Sequence, residues 1–184
     1  MIGSMNPRLA SWNEAEEDEA ITALLHCCRA QRWAHALAAE RPFLSEETLY
    51  AATDTHWAAM QEPDWMEAFR AHPRIGERKS EIGPGIDEHK AADASLQSKA
   101  WSGQEQARVH AAEQALLTAL AEGNRAYEER FGFTYIVCAT GKSAEEMLAI
   151  LNRRLASERA AELQEAAEQQ RQITQIRLRK WLEA

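Results

Sequence analysis

The sequence predicts an all-α fold: a single-domain helical bundle with one short extended buried segment near residues 133–140. Three observations carry this. The five prolines are Pro7, Pro42, Pro63, Pro73 and Pro84, and the last glycine is Gly141, so the C-terminal stretch lacks both strong helix breakers. Apolar residues recur at helical spacing through most of the chain. Only one run, Phe133–Cys138, concentrates aromatic and β-branched residues and so prefers an extended backbone. A lone strand forms no sheet, so this run is expected to pack, extended, between helices.

In chain order, Ile21, Leu24, Leu25, Cys28, Trp33 and Leu37 predict a first helix from about Glu14 to Ala39, with a break near Arg29–Gln31. Arg41-Pro42-Phe43 ends it. Ser45 caps the next helix, with Glu46 and Glu47 in its first turn and Thr48 at its third position. That helix carries Leu49 and Ala52. Another is expected from near Thr53 or Asp54, with Trp57 and Met60, and Asp64 caps a further one that carries Trp65, Met66 and Phe69 into His72. Residues 76–85 read as a loop, and 87–98 give no clear pattern. Ser102 starts a long helix to about Glu129, with Val109, Ala112, Leu116, Leu117 and Leu120 on its apolar face and Gly123-Asn124 near its end or at a kink. Ser143 and Glu146 form a capping box for a helix with Leu148, Leu151 and Leu155. A last helix from about Arg159 presents Leu163, Ala166, Ala167, Ile173 and Trp181. Residues 1–10 are expected to be disordered or vector-derived, and residues 1–184 to form one domain.

Composition narrows the partners. The 184 residues carry a formal net charge of -8, which disfavours nucleic acid because phosphate binding needs a basic face. No secretory signal is visible at the start, and no apolar run is long enough to cross a bilayer, so no membrane partner is expected. The three cysteines, Cys27, Cys28 and Cys138, make a poor disulfide framework and lack zinc spacing, which suits a reducing, cytoplasmic setting. His26, His35, His56, His89 and His110 form no metal motif, and no metal is expected. Phosphate loops and nucleophile elbows are likewise missing from the sequence.

Four features can carry chemistry, and each has a plainer reading. His72, before Pro73, sits where a helix must stop, and its imidazole titrates near neutrality; a capping or surface histidine is the plainer reading. Ser102-Gly103-Gln104-Glu105-Gln106 opens a helix whose N–H groups suit a carboxylate, with Glu105 able to orient a histidine and Gln106 able to bind an amide or ureido group. An ordinary capping box explains the same residues. Helical steps from Leu163 and Ile173 put Arg177 on the apolar face, where a guanidinium meets an anion or snorkels. The run from Tyr135 to Thr140 offers backbone groups to a ring amide, or simply fills the core.

The joint order of these pieces is more specific than any one of them. Trp33-Ala34, Arg41-Pro42-Phe43, Asp64-Trp65, Ala68-Phe69, His72-Pro73-Arg74-Ile75-Gly76 and Ser102-x-x-Glu105-Gln106 come in turn. Asn124-x-x-Tyr127, Arg130-Phe131-Gly132-Phe133, Tyr135 to Ser143 and Ile173-x-x-Ile176-Arg177-Leu178 follow. From about Trp12 to Leu178 the chain resembles the 2-oxo-4-hydroxy-4-carboxy-5-ureidoimidazoline (OHCU) decarboxylases, in their bacterial form. The resemblance implies cofactor-independent, metal-free decarboxylation of OHCU to (S)-allantoin in urate breakdown, by a carboxy-lyase that is often a homodimer. It implies His72 as the acid/base residue and Glu105 as its companion. Pro73, Ser102 and Gln106 would line the substrate, Ile136, Val137, Cys138, Ala139 and Thr140 would bind it largely through backbone groups, and Arg177 would hold its anion. Hand-over of the substrate from a hydroxyisourate hydrolase is a further expectation. One departure is an insertion at roughly 77–101, longer than in animal forms. A non-catalytic helical dimerisation module, a decarboxylase of a related cyclic ureido acid and a histidine-bound metal hydrolase are the alternatives.

Overall fold

The computed structural model describes residues 5–75 and 103–184, with the side chains of 103–111 left aside. Among these residues there are eight helices and no strand. They are α1 (Pro7–Glu14), α2 (Glu17–Cys27), α3 (Gln31–Ala39), α4 (Glu46–Ala58), α5 (Glu62–Arg70), α6 (Gly103–Phe131), α7 (Ala144–Arg154) and α8 (Arg159–Glu183). They fall into two compact units. The first takes in the described part of Met1–His72, with Ile136–Cys138 and Ser157–Ala184; the second takes in that of Pro73–Tyr135, with Ala139–Ala156.

In the first unit, the expected helix over 14–39 is two helices, α2 and α3, and α1 precedes them. α1 begins within the stretch expected to be disordered, at residues 7–10. Asn6 accepts from the N–H groups of Arg8 and Leu9, Pro7 fits the first turn, and Leu9 and Trp12 are buried. This corrects the reading of residues 7–10. α2 opens on Glu17, Asp18 and Glu19, which complement its dipole. The break falls as expected, with Cys28 and Ala30 in extended backbone. Arg41 closes the α1–α3 corner by donating to the carbonyls of Trp12, Ala15 and Ala38.

The capping box of Ser45 with Thr48 is present and starts α4. No second helix begins at Thr53 or Asp54, because tertiary partners take both side-chain environments. Thr53 is buried, and Asp54 accepts from Arg171 and Gln175 of α8. α5 begins at Glu62 rather than after Asp64. Gln61 is its cap, Pro63 sits in its first turn, and Asp64 reaches back to the Gln61 N–H at 2.9 Å. Around these helices pack Leu24, Trp33, Leu37, Leu49, Phe69 and Leu178, all fully buried. The indole N–H of Trp33 donates to the Thr53 carbonyl, and that of Trp57 to the Ala167 carbonyl, so both rings are buried without an orphaned donor.

The second unit rests on α6 and α7. The buried face of α6 is Leu120, Asn124, Tyr127 and Phe131, whereas Ala112 and Leu117 are exposed. The expected apolar face is therefore right at Leu120 and wrong at those two. Gly123 does not end α6, which runs on to Phe131. A Cβ there would stand 2.6 Å from the Leu151 side chain of α7, so glycine permits close helix approach. Ser143 and Glu146 make the expected box. Arg154 is buried against the rings of Tyr127 and Tyr135.

The run after α6 leaves the helical conformation, in keeping with its composition. Residues 134–139 take no helical or ladder structure, and Phe133, Tyr135, Ile136, Val137 and Cys138 are buried. Residues 76–102, including the expected 76–85 loop, lie outside the described part.

Candidate active site

α5 ends at Arg70, Ala71 caps it, and the His72 N–H still bonds to the Phe69 carbonyl at 3.1 Å. Pro73 cannot continue the helix, so the chain leaves it at His72. The ring is largely buried in the first unit. Desolvation, reinforced by the positive charge of Arg177 and opposed by the side chain of Gln170, pushes its pKa down to about 4. His72 is thus neutral at pH 7, with one nitrogen carrying a proton and the other a free lone pair.

Arg177 comes from α8 and donates from Nη1 to the Cys27 carbonyl at 3.3 Å. Among the described residues no carboxylate pairs with it. It is an exposed residue at the edge of the buried face, not in its centre as the Leu163–Ile173 count suggested. The buried face instead runs through Leu163, Ala166, Ala167, Gln170, Thr174 and Leu178, with Ile173 half-exposed. A guanidinium at that edge keeps donors for an incoming anion while its charge is felt at His72.

Ile136, Val137 and Cys138 belong to the same unit and are buried. The Cys138 N–H donates to Gln169 Oε1 at 2.8 Å, so one of the backbone groups expected to meet substrate is held by the protein itself. Ala139 and Thr140 are exposed and belong to the second unit. There the Ala139 carbonyl accepts from the Lys142 N–H. Pro73 also falls in the second unit, where its neighbours are fixed. Arg74 pairs with Glu128 through two nitrogens at 2.8 Å each, and Asn124 donates to the Ile75 carbonyl. Glu105 and Gln106 stand in the first turns of α6 by backbone, and their side chains, like Ser102, lie outside the described part.

The histidine, the arginine and the 136–138 segment therefore share one unit. The sequence reading missed Gln170. It lies one helical turn before Thr174 and two before Arg177, and that spacing is the signal that finds it. Cys27 and Cys28 offer no competing nucleophile: burial pushes Cys27 up to about 11 and raises Cys28 as well. A cleft of about 630 Å³ beside Asn13, Glu17 and Arg41 lies elsewhere in this unit, and its arginine is spent on backbone carbonyls. No group of three metal-ligating side chains stands together among the described residues, and no described helix is long and apolar enough to cross a membrane.

A pH dependence of stability follows from the histidine. Its folded pKa lies below the unfolded value of about 6.5, so between the two the unfolded chain binds more protons. The protein is expected to lose about 1–2 kcal/mol of stability as pH falls from 6.5 to 4, after discounting for the ring's residual exposure. Urea unfolding at pH 7.5 and 4.5 measures it, and His72→Asn should flatten the slope. Identical slopes in the two proteins would contradict the burial of a neutral imidazole.

Comparison with known proteins gives a consistent result. The family model for OHCU decarboxylase matches residues 13–179. The uric acid degradation bifunctional protein TTL of Arabidopsis thaliana is 36% identical over 155 residues, covering 84% of this chain and 44% of that protein. The chain thus spans under half the length of that relative. A 2-oxo-4-hydroxy-4-carboxy-5-ureidoimidazoline decarboxylase of Haloferax volcanii is 24% identical, with 90% of each chain covered. Among solved structures, an OHCU decarboxylase crystallised in the presence of (S)-allantoin superposes with a TM-score of 0.67 and 28% identity, over 92% of this chain and 100% of the other. Because the family match takes in both units, from α1 to the last turns of α8, this chain belongs to the OHCU decarboxylase family.

Proposed function

We propose that this protein decarboxylates 2-oxo-4-hydroxy-4-carboxy-5-ureidoimidazoline to (S)-allantoin in urate breakdown, with no cofactor. The observation that carries the reading is a neutral, largely buried imidazole at a helix end with the charge of a guanidinium that no described carboxylate neutralises acting on it, in a chain of this family.

The substrate explains why no electron sink is required of the protein. The carbon that loses carbon dioxide bears a hydroxyl and adjoins a ring carbon doubly bonded to nitrogen. When the C–C bond breaks, its electron pair forms a C=C bond to the adjoining carbon and the C=N pair passes to the ring nitrogen, which takes a proton from water, leaving an enol. The adjoining ring carbon then gains a proton, the hydroxyl loses one, and allantoin results. The protein's tasks are to hold the anion, to move a proton and to deliver it to one face. Arg177 does the first. His72 does the second through its free lone pair, and then returns the proton as imidazolium. In this reading Glu105 aligns His72, Pro73, Ser102 and Gln106 line the substrate, and residues 136–140 hold its ring amide.

Residues 1–184 act as one domain in this reading, which the family match across 13–179 supports. We assign the protein to the cytoplasm, in keeping with its three free, buried cysteines, and to a homodimer, as the family resemblance implies. The substrate is handed over by a hydroxyisourate hydrolase. Two relatives named as bifunctional uric acid degradation proteins support this, since the chain covers only 44% and 26% of them. The decay of freshly generated OHCU, followed by ultraviolet absorbance, tests the reaction. Protein dialysed against a chelator is expected to accelerate it as well as untreated protein does. No acceleration by either would contradict the assignment, and loss on chelation alone would favour a metal-dependent route.

A further inference from the structure

The last turns of α8, which carry Arg177, are tied to α1 and α4 through one side chain, that of Asn6. It serves two helices at once. Its Oδ1 accepts from the N–H groups of Arg8 and Leu9, at 2.9 and 3.3 Å, and so caps the start of α1. Its Nδ2 donates to the Leu182 carbonyl of α8 at 3.1 Å and to Glu46 Oε1 of α4 at 2.8 Å. Two of these partners are N–H donors and two are oxygen acceptors, so a flipped amide would lose all four bonds. Leu182 lies in the last turn of α8, where carbonyls have no partner within the helix. Glu46 also accepts from the Tyr50 hydroxyl at 3.0 Å, and the Arg179 guanidinium stands 4.4 Å from the Tyr50 ring centre. The network therefore meets α8 twice, at Arg179 and at Leu182. Between them Trp181 packs edge-on against Trp12 of α1, with ring centres 6.0 Å apart. Arg177 stands one helical turn before Trp181, on the same face. Its own hold is slight: among the described residues its long, flexible side chain makes one hydrogen bond, at 3.3 Å.

We propose that Asn6 is a positioning residue for Arg177: its carbonyl oxygen caps α1 while its amide nitrogen ties down α8, and this fixes the place from which the guanidinium meets the substrate anion. The family match begins at residue 13 and leaves Asn6 out. Capping explains only half of the side chain. Serine and aspartate cap a helix as well as asparagine does, but of the three only asparagine adds an NH₂ group. The inference deepens the functional reading above, on which the identity of the anion rests.

Asn6→Asp separates the two halves. Aspartate keeps the cap on α1 but sets a carboxylate against the Leu182 carbonyl and Glu46. In the full chain, amide hydrogen exchange at pH 7.5, read by mass spectrometry, is expected to quicken about 10-fold over residues 178–184 and to stay unchanged in α1. KM for OHCU is expected to rise about 3- to 10-fold, with kcat within about twofold of wild type. In an Arg177→Ala background the same substitution should leave KM where Arg177→Ala alone puts it. A purely structural role would instead lower the active fraction, and with it the apparent kcat, in both backgrounds. If Asn6→Asp does not fold, as judged by circular dichroism, Asn6→Ser keeps the cap without adding charge and should give the same pattern. Unchanged exchange over 178–184, an unchanged KM, or a KM rise that adds in full to that of Arg177→Ala overturns the proposal. Wild-type protein without decarboxylase activity would sink the functional reading instead; the exchange rates, which need no substrate, would still decide whether Asn6 holds the end of α8.

Discussion

His72→Asn is expected to lower turnover of OHCU by about 100- to 10,000-fold, the usual contribution of a general acid–base group. Asparagine is close in size and retains a hydrogen-bonding amide, but it cannot take up a proton near neutrality. The ring it replaces is held neutral by burial and by Arg177, so at pH 7 the wild type presents a lone pair ready to accept. The variant should fold normally and, at pH 4.5, resist urea better relative to its own pH 7.5 value than the wild type does. Steady-state kinetics checks the first claim, and turnover equal to wild type would remove His72 from the mechanism.

Arg177→Ala is expected to raise KM by about 10- to 100-fold with a smaller change in kcat, as removal of a charge-assisted hydrogen bond worth about 1.5–3 kcal/mol implies. Among the described residues its side chain makes one hydrogen bond, the 3.3 Å contact to the Cys27 carbonyl, which leaves donors for a substrate carboxylate. Its charge also depresses the His72 pKa, so losing it lets the imidazole titrate higher. The comparison is therefore best made at pH 8, where His72 is neutral in both proteins. A fall in kcat with KM unmoved would mean that Arg177 does not anchor the substrate.

Local chemistry made much of the fold legible. Ser45 and Ser143 read as helix starts because a cap and its partner lie within one turn. Phe133–Cys138 read as extended because its side chains resist helical crowding. Elements decided by distant contacts were not legible. α1 exists because Leu9 and Trp12 bury against the rest of their unit, and α4 runs through Thr53 because Asp54 is engaged by α8. The same distinction holds at the site. His72 was visible through the proline that follows it. Arg177 was visible as a cation in an amphipathic helix, although its place at the edge of the buried face was not. Gln170 and Thr174 were not singled out in the sequence, since polar residues on a helix are usually solvated; their burial in the structure sets them apart. That His72, Gln170 and Arg177 share one unit is a tertiary fact, which no local spacing encodes.

Handedness of the product is the most direct test of the central claim, because uncatalysed decay of OHCU gives racemic allantoin. Circular dichroism of allantoin formed from freshly generated substrate should show an excess of the S form with wild-type protein, and none without protein or with His72→Asn. Racemic product in the presence of active, folded wild type would contradict the account.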